Sequence, residues 1–189
     1  RHLENARIVM PETLGKYTLE TQLAVGGMAE IFLARQSGPA GFEKQLVVKR
    51  ILPQFAQDEQ FVQMFLDEGR LAAQLSHPNV VQIFELGEAD GAYYIAMEYI
   101  HGESVGDLID RAATLNVPVP YHYGARIVGN ICAGLDYAHS FSDVHGKPLN
   151  LVHRDMSPDN VLVSFNGAVK MIDFGVAKAS INRTKTQSG

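Results

Sequence analysis

The residues of this chain with the greatest chemical reach fall in a few short stretches. In LVHRDMSPDN, Asp155 presents a carboxylate that can accept a proton, and Asn160, in the same run, presents an amide oxygen. Asp173 follows in MIDFG. A carboxylate and an amide oxygen are the donors that hard cations prefer. Each residue also has a plain reading: Asn160 and Asp173 as caps at the ends of a hairpin, Asp155 as a solvated loop carboxylate. Earlier in the chain, Lys49 lies in VVKR and Glu68 in DEGRLA, and either alone is ordinarily a charge turned to solvent. Gly26 and Gly27 give a loop the freedom to bring backbone amides close to an anion. His153 reads as a structural group rather than a catalytic one.

These side chains need supports, and the hydrophobic periods supply them. Over residues 17–51 the pattern is strand-like: YTLETQLAV, EIFLAR and KQLVVKRIL, separated by Gly26 and Gly27 and by the turn-rich SGPAGF. Three antiparallel strands are expected, with Lys49 near the end of the third. Over residues 58–75, Phe61, Met64, Phe65, Leu71, Ala72 and Leu75 recur at helical spacing behind Asp58, a suitable N-cap. Gly69 weakens that helix by about 1 kcal/mol relative to Ala, and Pro78 stops it. VVQIFEL and AYYIAMEYI then complete a five-stranded antiparallel sheet with one helix.

Beyond Gly102 the period becomes helical, with a short helix expected over residues 104–113. A long one is expected over 120–140, carrying Ile127, Ile131, Leu135 and Ala138 on one face. VLVSF and AVKMI flank Asn166 and Gly167, a pair that predicts a two-residue type I′ hairpin. That hairpin sets Asn160 just before one strand and Asp173 just after the other. Residues 1–16 read as a tail, 140–150 as a surface insertion, and SINRTKTQSG as a polar loop.

The composition is that of a folded α+β chain: 189 residues, 46% apolar and 20% charged. Sixteen Lys and Arg against 21 Asp and Glu give a net charge of −5, so no overall basic field draws the chain to nucleic acid. One cysteine, Cys132, forms no internal disulfide, which fits a reducing, cytoplasmic setting. No run of 18 apolar residues offers a membrane segment.

Taken together, the glycine loop, Lys49, Glu68, HPN, HRDMSPDN and Asp173-Phe174-Gly175 resemble the eukaryotic-like protein kinases, from about residue 17 to the last. The resemblance implies a two-lobed fold, an N-lobe over 17–100 with its hinge and a partial, mainly helical C-lobe over 101–189, with a nucleotide cleft between them. It implies ATP and Mg²⁺ as cofactors and a protein with Ser or Thr acceptors as partner. Asp155 would orient the hydroxyl and accept its proton, Asn160 and Asp173 would ligate magnesium, and Lys49, held by Glu68, would meet the α and β phosphates. Ala24, Val25, Gly26, Gly27, Met28 and Ala29 would cover the phosphates. Ile31, Val47 and Leu162 would sandwich adenine, Met97 would limit pocket depth, and Glu98, Tyr99 and Ile100 would form the hinge. Arg154 next to Asp155 resembles the subset ordered by loop phosphorylation, with Thr184 or Thr186 carrying the phosphate.

Two departures stand out. Alanine replaces the first and third loop glycines at Ala24 and Ala29, and left-handed geometry there would cost about 1 to 2 kcal/mol each. Ser157 stands where Ser/Thr-specific members usually carry a lysine. These departures motivate an alternative, a nucleotide-binding pseudokinase or scaffold without phosphotransfer. A dinucleotide-binding oxidoreductase fails on order, because the glycine loop joins two antiparallel strands rather than opening a helix. The GGMAEIFLA loop, the HPNVVQ segment and the insertion look like a bacterial Ser/Thr kinase. The chain ends before any A-P-E motif, so a truncated catalytic domain is expected, with exposed apolar surface on the long helix.

Overall fold

The structure is a computed structural model that describes residues 7–143, 145–149 and 151–174. The chain divides into two compact units, one holding the residues up to Ala73 together with Ile83–Tyr99, the other Gln74–Gln82 together with the residues from Ile100 on.

The first unit is an antiparallel sheet with one helix. Its strands are β1 (Arg7–Leu14), β2 (Tyr17–Val25), β3 (Ala29–Ser37), β4 (Glu43–Ile51), β5 (Ile83–Ala89) and β6 (Ala92–Met97), in the order β1-β2-β3-β4-β6-β5. Four strands are where the alternation predicts them, while β5 begins three residues later than VVQIFEL and runs on through Ala89, so the expected GEADG turn narrows to Asp90 and Gly91. The sixth, β1, corrects the expectation of a tail over residues 1–16, since it pairs antiparallel with β2 through a register break between Ile8 and Glu12. That irregularity, with Pro11 inside it, hides the period-2 signal.

The sheet curls on itself. Leu14, Tyr17, Leu19, Phe32, Ala34, Leu46, Val48, Tyr94 and Ala96 form one buried cluster on its inner face. Glu85 fastens the two ends, accepting from the hydroxyls of Tyr17 at 2.7 Å and Tyr94 at 2.9 Å and pairing with Lys16. Burial and these bonds to a carboxylate push the Tyr94 phenol up to about 12.

The opposite face receives α1 (Glu59–Ala72), whose N-cap Asp58 accepts from the amides of Gln60 and Phe61. Gly69 has a packing reason: a Cβ there would stand 3.0 Å from Ile95 Cδ1 and from Leu86 Cδ1, so its absence lets α1 lie close on β5 and β6.

The second unit carries β7 (Gly102–Ser104), α2 (Val105–Thr114), α3 (Tyr121–His139), β8 (Val161–Ser164) and β9 (Val169–Met171). Both helices match expectation; β7 is too short to show a period. It pairs with β8, which pairs with β9. Close approach dictates glycine at Gly102, where a Cβ would lie 2.1 Å from the Val163 carbonyl oxygen.

The β8–β9 turn departs from the type I′ expectation. Only Gly167 has positive φ, the Gly167 amide donates to Ser164 O at 2.8 Å, and Ser164 N donates to Ala168 O. This is a three-residue loop closed by a left-handed glycine.

Gln74–Gln82, expected with the N-lobe, belongs to the second unit. Asn79 is the reason: its side-chain amide donates to Val169 O at 2.9 Å and Asn130 Oδ1 at 3.0 Å, while Met171 N donates to its carbonyl. The insertion at 140–150 includes a turn in which Asp143 accepts from the amides of His145 and Lys147.

Candidate active site

The first unit places one half of the candidate residues on a single face. Ile31 pairs with Lys49, Lys49 with Ile95, and Val47 with Met97. Directly opposed residues, and residues two apart in a strand, share a face. Ile31, Val47, Lys49 and Met97 therefore stand together on the face that α1 covers in part. Lys49 Nζ lies 2.8 Å from Glu68 Oε1. The two side chains are 14% and 12% exposed, so this pair is screened far less than a surface one.

The glycine loop joins β2 to β3. Its turn is closed by Gly26 N donating to Ala29 O at 2.8 Å, and Leu52 N donates to Met28 O at 2.9 Å. Neither Ala24 nor Ala29 has positive φ, so the backbone strain expected of those alanines is absent. A Cβ on Gly27 would meet nothing within 4 Å, which leaves the outer side of the loop open. Glu98 and Tyr99 follow β6 in this unit, and Ile100 begins the second.

The second unit gathers the other half. Val161 pairs with Met171, and Ile172 N donates to Asn160 O at 3.0 Å, so the residues flanking the two strands are brought side by side. Asn160 Nδ2 donates to the Asp155 carbonyl at 2.7 Å. That bond commits the amide nitrogen and leaves Oδ1 as the oxygen donor.

His153 is 2% exposed, its ring 4.7 Å from that of Phe174 and its Nε2 donating to Ile172 O at 3.0 Å, the structural role expected of it. Burial pushes its pKa down, against the opposing pull of Ile172 O and of the Asp155 and Asp173 carboxylates. Arg154 and Asp173 adopt φ of 62° and 53°. Such left-handed geometry at non-glycine residues costs energy and concentrates at functional sites. Leu162 is half-buried in β8. Arg154 is exposed, while Thr184 and Thr186 lie outside the described residues.

A lysine held by a glutamate behind a glycine loop, and an aspartate braced by an asparagine beside a second, backbone-strained aspartate, form a distinctive pair of constellations. The protein kinase domain model matches residues 17–189. The chain belongs to the protein kinase family. It is 46% identical over 186 residues to the tyrosine-protein kinase MasK of Myxococcus xanthus, covering 98% of this chain and 29% of that protein. It is 32% identical to the serine/threonine-protein kinase PrkC of Bacillus subtilis, over 92% of this chain and 24% of that one. The kinase domain of Mycobacterium tuberculosis PknI superposes with a TM-score of 0.67 at 30% identity, over 90% of this chain and 64% of that structure. The chain is thus of the bacterial eukaryotic-like kind, and it spans 29% and 24% of the length of those two curated relatives.

The sequence leaves two ties between elements around these residues unassigned. Asn79 ties Gln74–Gln82 to β9, and Glu30 and Arg50 face each other across β3 and β4 on the side away from Lys49. Opposite charges at paired positions of adjacent strands were the available signal for the second set. Among the described residues no group of three His, Cys, Asp or Glu could hold a metal by itself, and no helix is long and apolar enough to cross a membrane.

Proposed function

We propose that this chain is the nucleotide-handling part of an ATP-dependent protein kinase that transfers the γ-phosphoryl group to Ser or Thr hydroxyls, its own included. Lys49 neutralises the α and β phosphates, and Glu68 fixes its ammonium. Asp155 orients the acceptor hydroxyl and takes its proton. Asn160 and Asp173 would hold Mg²⁺ through an amide and a carboxylate oxygen, and the ion would neutralise phosphate charge; such sparse protein ligation is usual for this ion. Gly26, Gly27 and Met28 border the phosphates, Ile31, Val47 and Leu162 the adenine ring, with Met97 behind it and Glu98, Tyr99 and Ile100 at its edge. Arg154 receives a phosphate on Thr184 or Thr186.

The observation that carries this reading is the 2.8 Å Lys49–Glu68 pair, because a lysine withdrawn from water and oriented by a carboxylate is poised for a polyanion. The absence of positive φ at Ala24 and Ala29 removes one argument for a pseudokinase. The test is to incubate the full-length protein with magnesium and ATP beside its Asp155→Asn variant. Loss of about 10²- to 10⁴-fold in transfer is expected; equal transfer by both overturns the assignment.

A second reading concerns the acceptor. The 46% identity to a relative named as a tyrosine kinase favours a tyrosine hydroxyl, and Ser157 in place of lysine is compatible with it. Phosphoamino-acid analysis of the product separates the two.

A further inference from the structure

The glycine loop leaves β2 at a break in the ladder. Gln22 pairs with Phe32 and Ala24 with Ile31, so Leu23 is an extra residue with no partner on β3. Such a bulge bends and loosens a strand. Past the bulge, Ala24 and Val25 pair with Ile31 and Glu30 and Gly26 N donates to Ala29 O, while the bond from Leu52 N to Met28 O pins the β3 side of the loop.

Side chains bridge the gap on the face of the sheet turned away from Lys49. Gln22 Nε2 donates to Glu30 Oε1 at 3.0 Å, which occupies one oxygen of that carboxylate. Arg50 Nε and Nη2 donate to the other, Oε2, at 3.2 and 3.0 Å. Arg50 Nη1 donates to Glu12 Oε1 at 2.5 Å. The guanidinium also lies 5.0 Å from the Phe32 ring centre. Arg50 and Glu30 are only 15% and 17% exposed, so these charge-assisted bonds are little screened. Arg50, the immediate neighbour of Lys49, thus joins β4 to β3 and β1, and its partner Glu30 extends the tie to β2. The contribution from β1 lies outside the protein kinase domain match, which begins at Tyr17.

We propose that Arg50, held by Glu30 and by Glu12 of β1, is a positioning residue for the glycine loop, so that the strand ahead of the kinase domain raises nucleotide affinity. The inference rests on the reading that this loop and Lys49 handle the phosphates of ATP.

The test measures KM for ATP, kcat, melting temperature and amide exchange of residues 24–30 in the full-length protein. Arg50→Gln is expected to raise KM about tenfold, the equivalent of one charge-assisted bond, with kcat within about twofold of the parent. Glu12→Gln, a change at a half-exposed side chain that leaves the fold intact, is expected to raise KM about threefold and to do so less at high salt. Exchange should quicken in residues 24–30 and not in α1. Unchanged KM in Glu12→Gln, or a lowered melting temperature with KM and loop exchange unmoved, overturns the proposal. Lys49→Met in the same assay separates the two levels. If it abolishes transfer while the Arg50 and Glu12 variants leave KM alone, only the positioning role falls; if it leaves transfer intact, the phosphate-binding reading falls as well.

Discussion

At the scale of single residues, environment separates groups of the same type. Lys49 and Arg50 are neighbours in one strand, yet alternation sends Lys49 to the face bearing α1 and Arg50 to the opposite side. His153 shows the same logic in its titration. Burial holds its pKa below the ordinary 6.5, so the unfolded chain binds a proton at a pH where the folded one does not. Its contribution to stability is complete above about 6.5 and declines as the pH falls below that value. The melting temperature of the parent should therefore drop on acidification from pH 7.5 to 5.5 more steeply than that of His153→Gln; parallel curves would contradict this. The packing of His153 against Phe174 was legible from its place in HRD, as was the position of Asn160 and Asp173 at the ends of the β8–β9 pair. The left-handed backbone at Arg154 and Asp173 was not, because nothing in either residue type requires it.

At the scale of elements, caps and close approaches decide which segments hold. Asp58 accepts two amides at the start of α1, the helix that carries Glu68. Asp58→Ala is expected to destabilise the protein by about 1 kcal/mol, read by denaturant unfolding. Gly102 is less tolerant. A methyl group there meets the Val163 carbonyl oxygen at 2.1 Å, so Gly102→Ala should cost about 3 kcal/mol and weaken the β7–β8 pairing; a cost below 1 kcal/mol would show that β7 shifts freely. Long periodic elements were readable: α1, α2, α3 and four strands of the large sheet follow their patterns. The failures have local causes. β1 breaks register near Pro11, β7 has three residues, and the β8–β9 turn uses Gly167 alone as its left-handed residue, which Asn166 before it disguises.

At the scale of the whole molecule, the large sheet satisfies its own core while the helical unit does not. The inner face of the sheet is closed by Glu85 and its tyrosine partners, and its buried cluster needs nothing further. Between α2 and α3, by contrast, lies an apolar groove of about 900 Å³ lined by Leu108, Ile109, Leu115, Val117 and Ile131 among others. Val128 and Tyr123 on α3 are more than half exposed. An exposed apolar groove is a surface that can take up an apolar molecule. The 189-residue chain is expected to enhance the fluorescence of an apolar dye, and Ile109→Gln with Val128→Gln to reduce that signal at unchanged melting temperature. That exposure was foreseeable from the apolar face of the long helix. What no pattern in one chain could supply is the division at Gln74–Gln82, which Asn79 decides through contacts far away in sequence. The central claim is that Lys49 and Asp155 serve a single reaction. A double-mutant cycle on phosphoryl transfer, with Lys49→Met, Asp155→Asn and both together in the full-length protein, tests it most directly. Residues acting as one catalytic unit are grossly non-additive, so the double variant should lose about as much rate as the worse single one. A double loss equal to the product of two independent losses, or no loss in either single variant, would contradict the account.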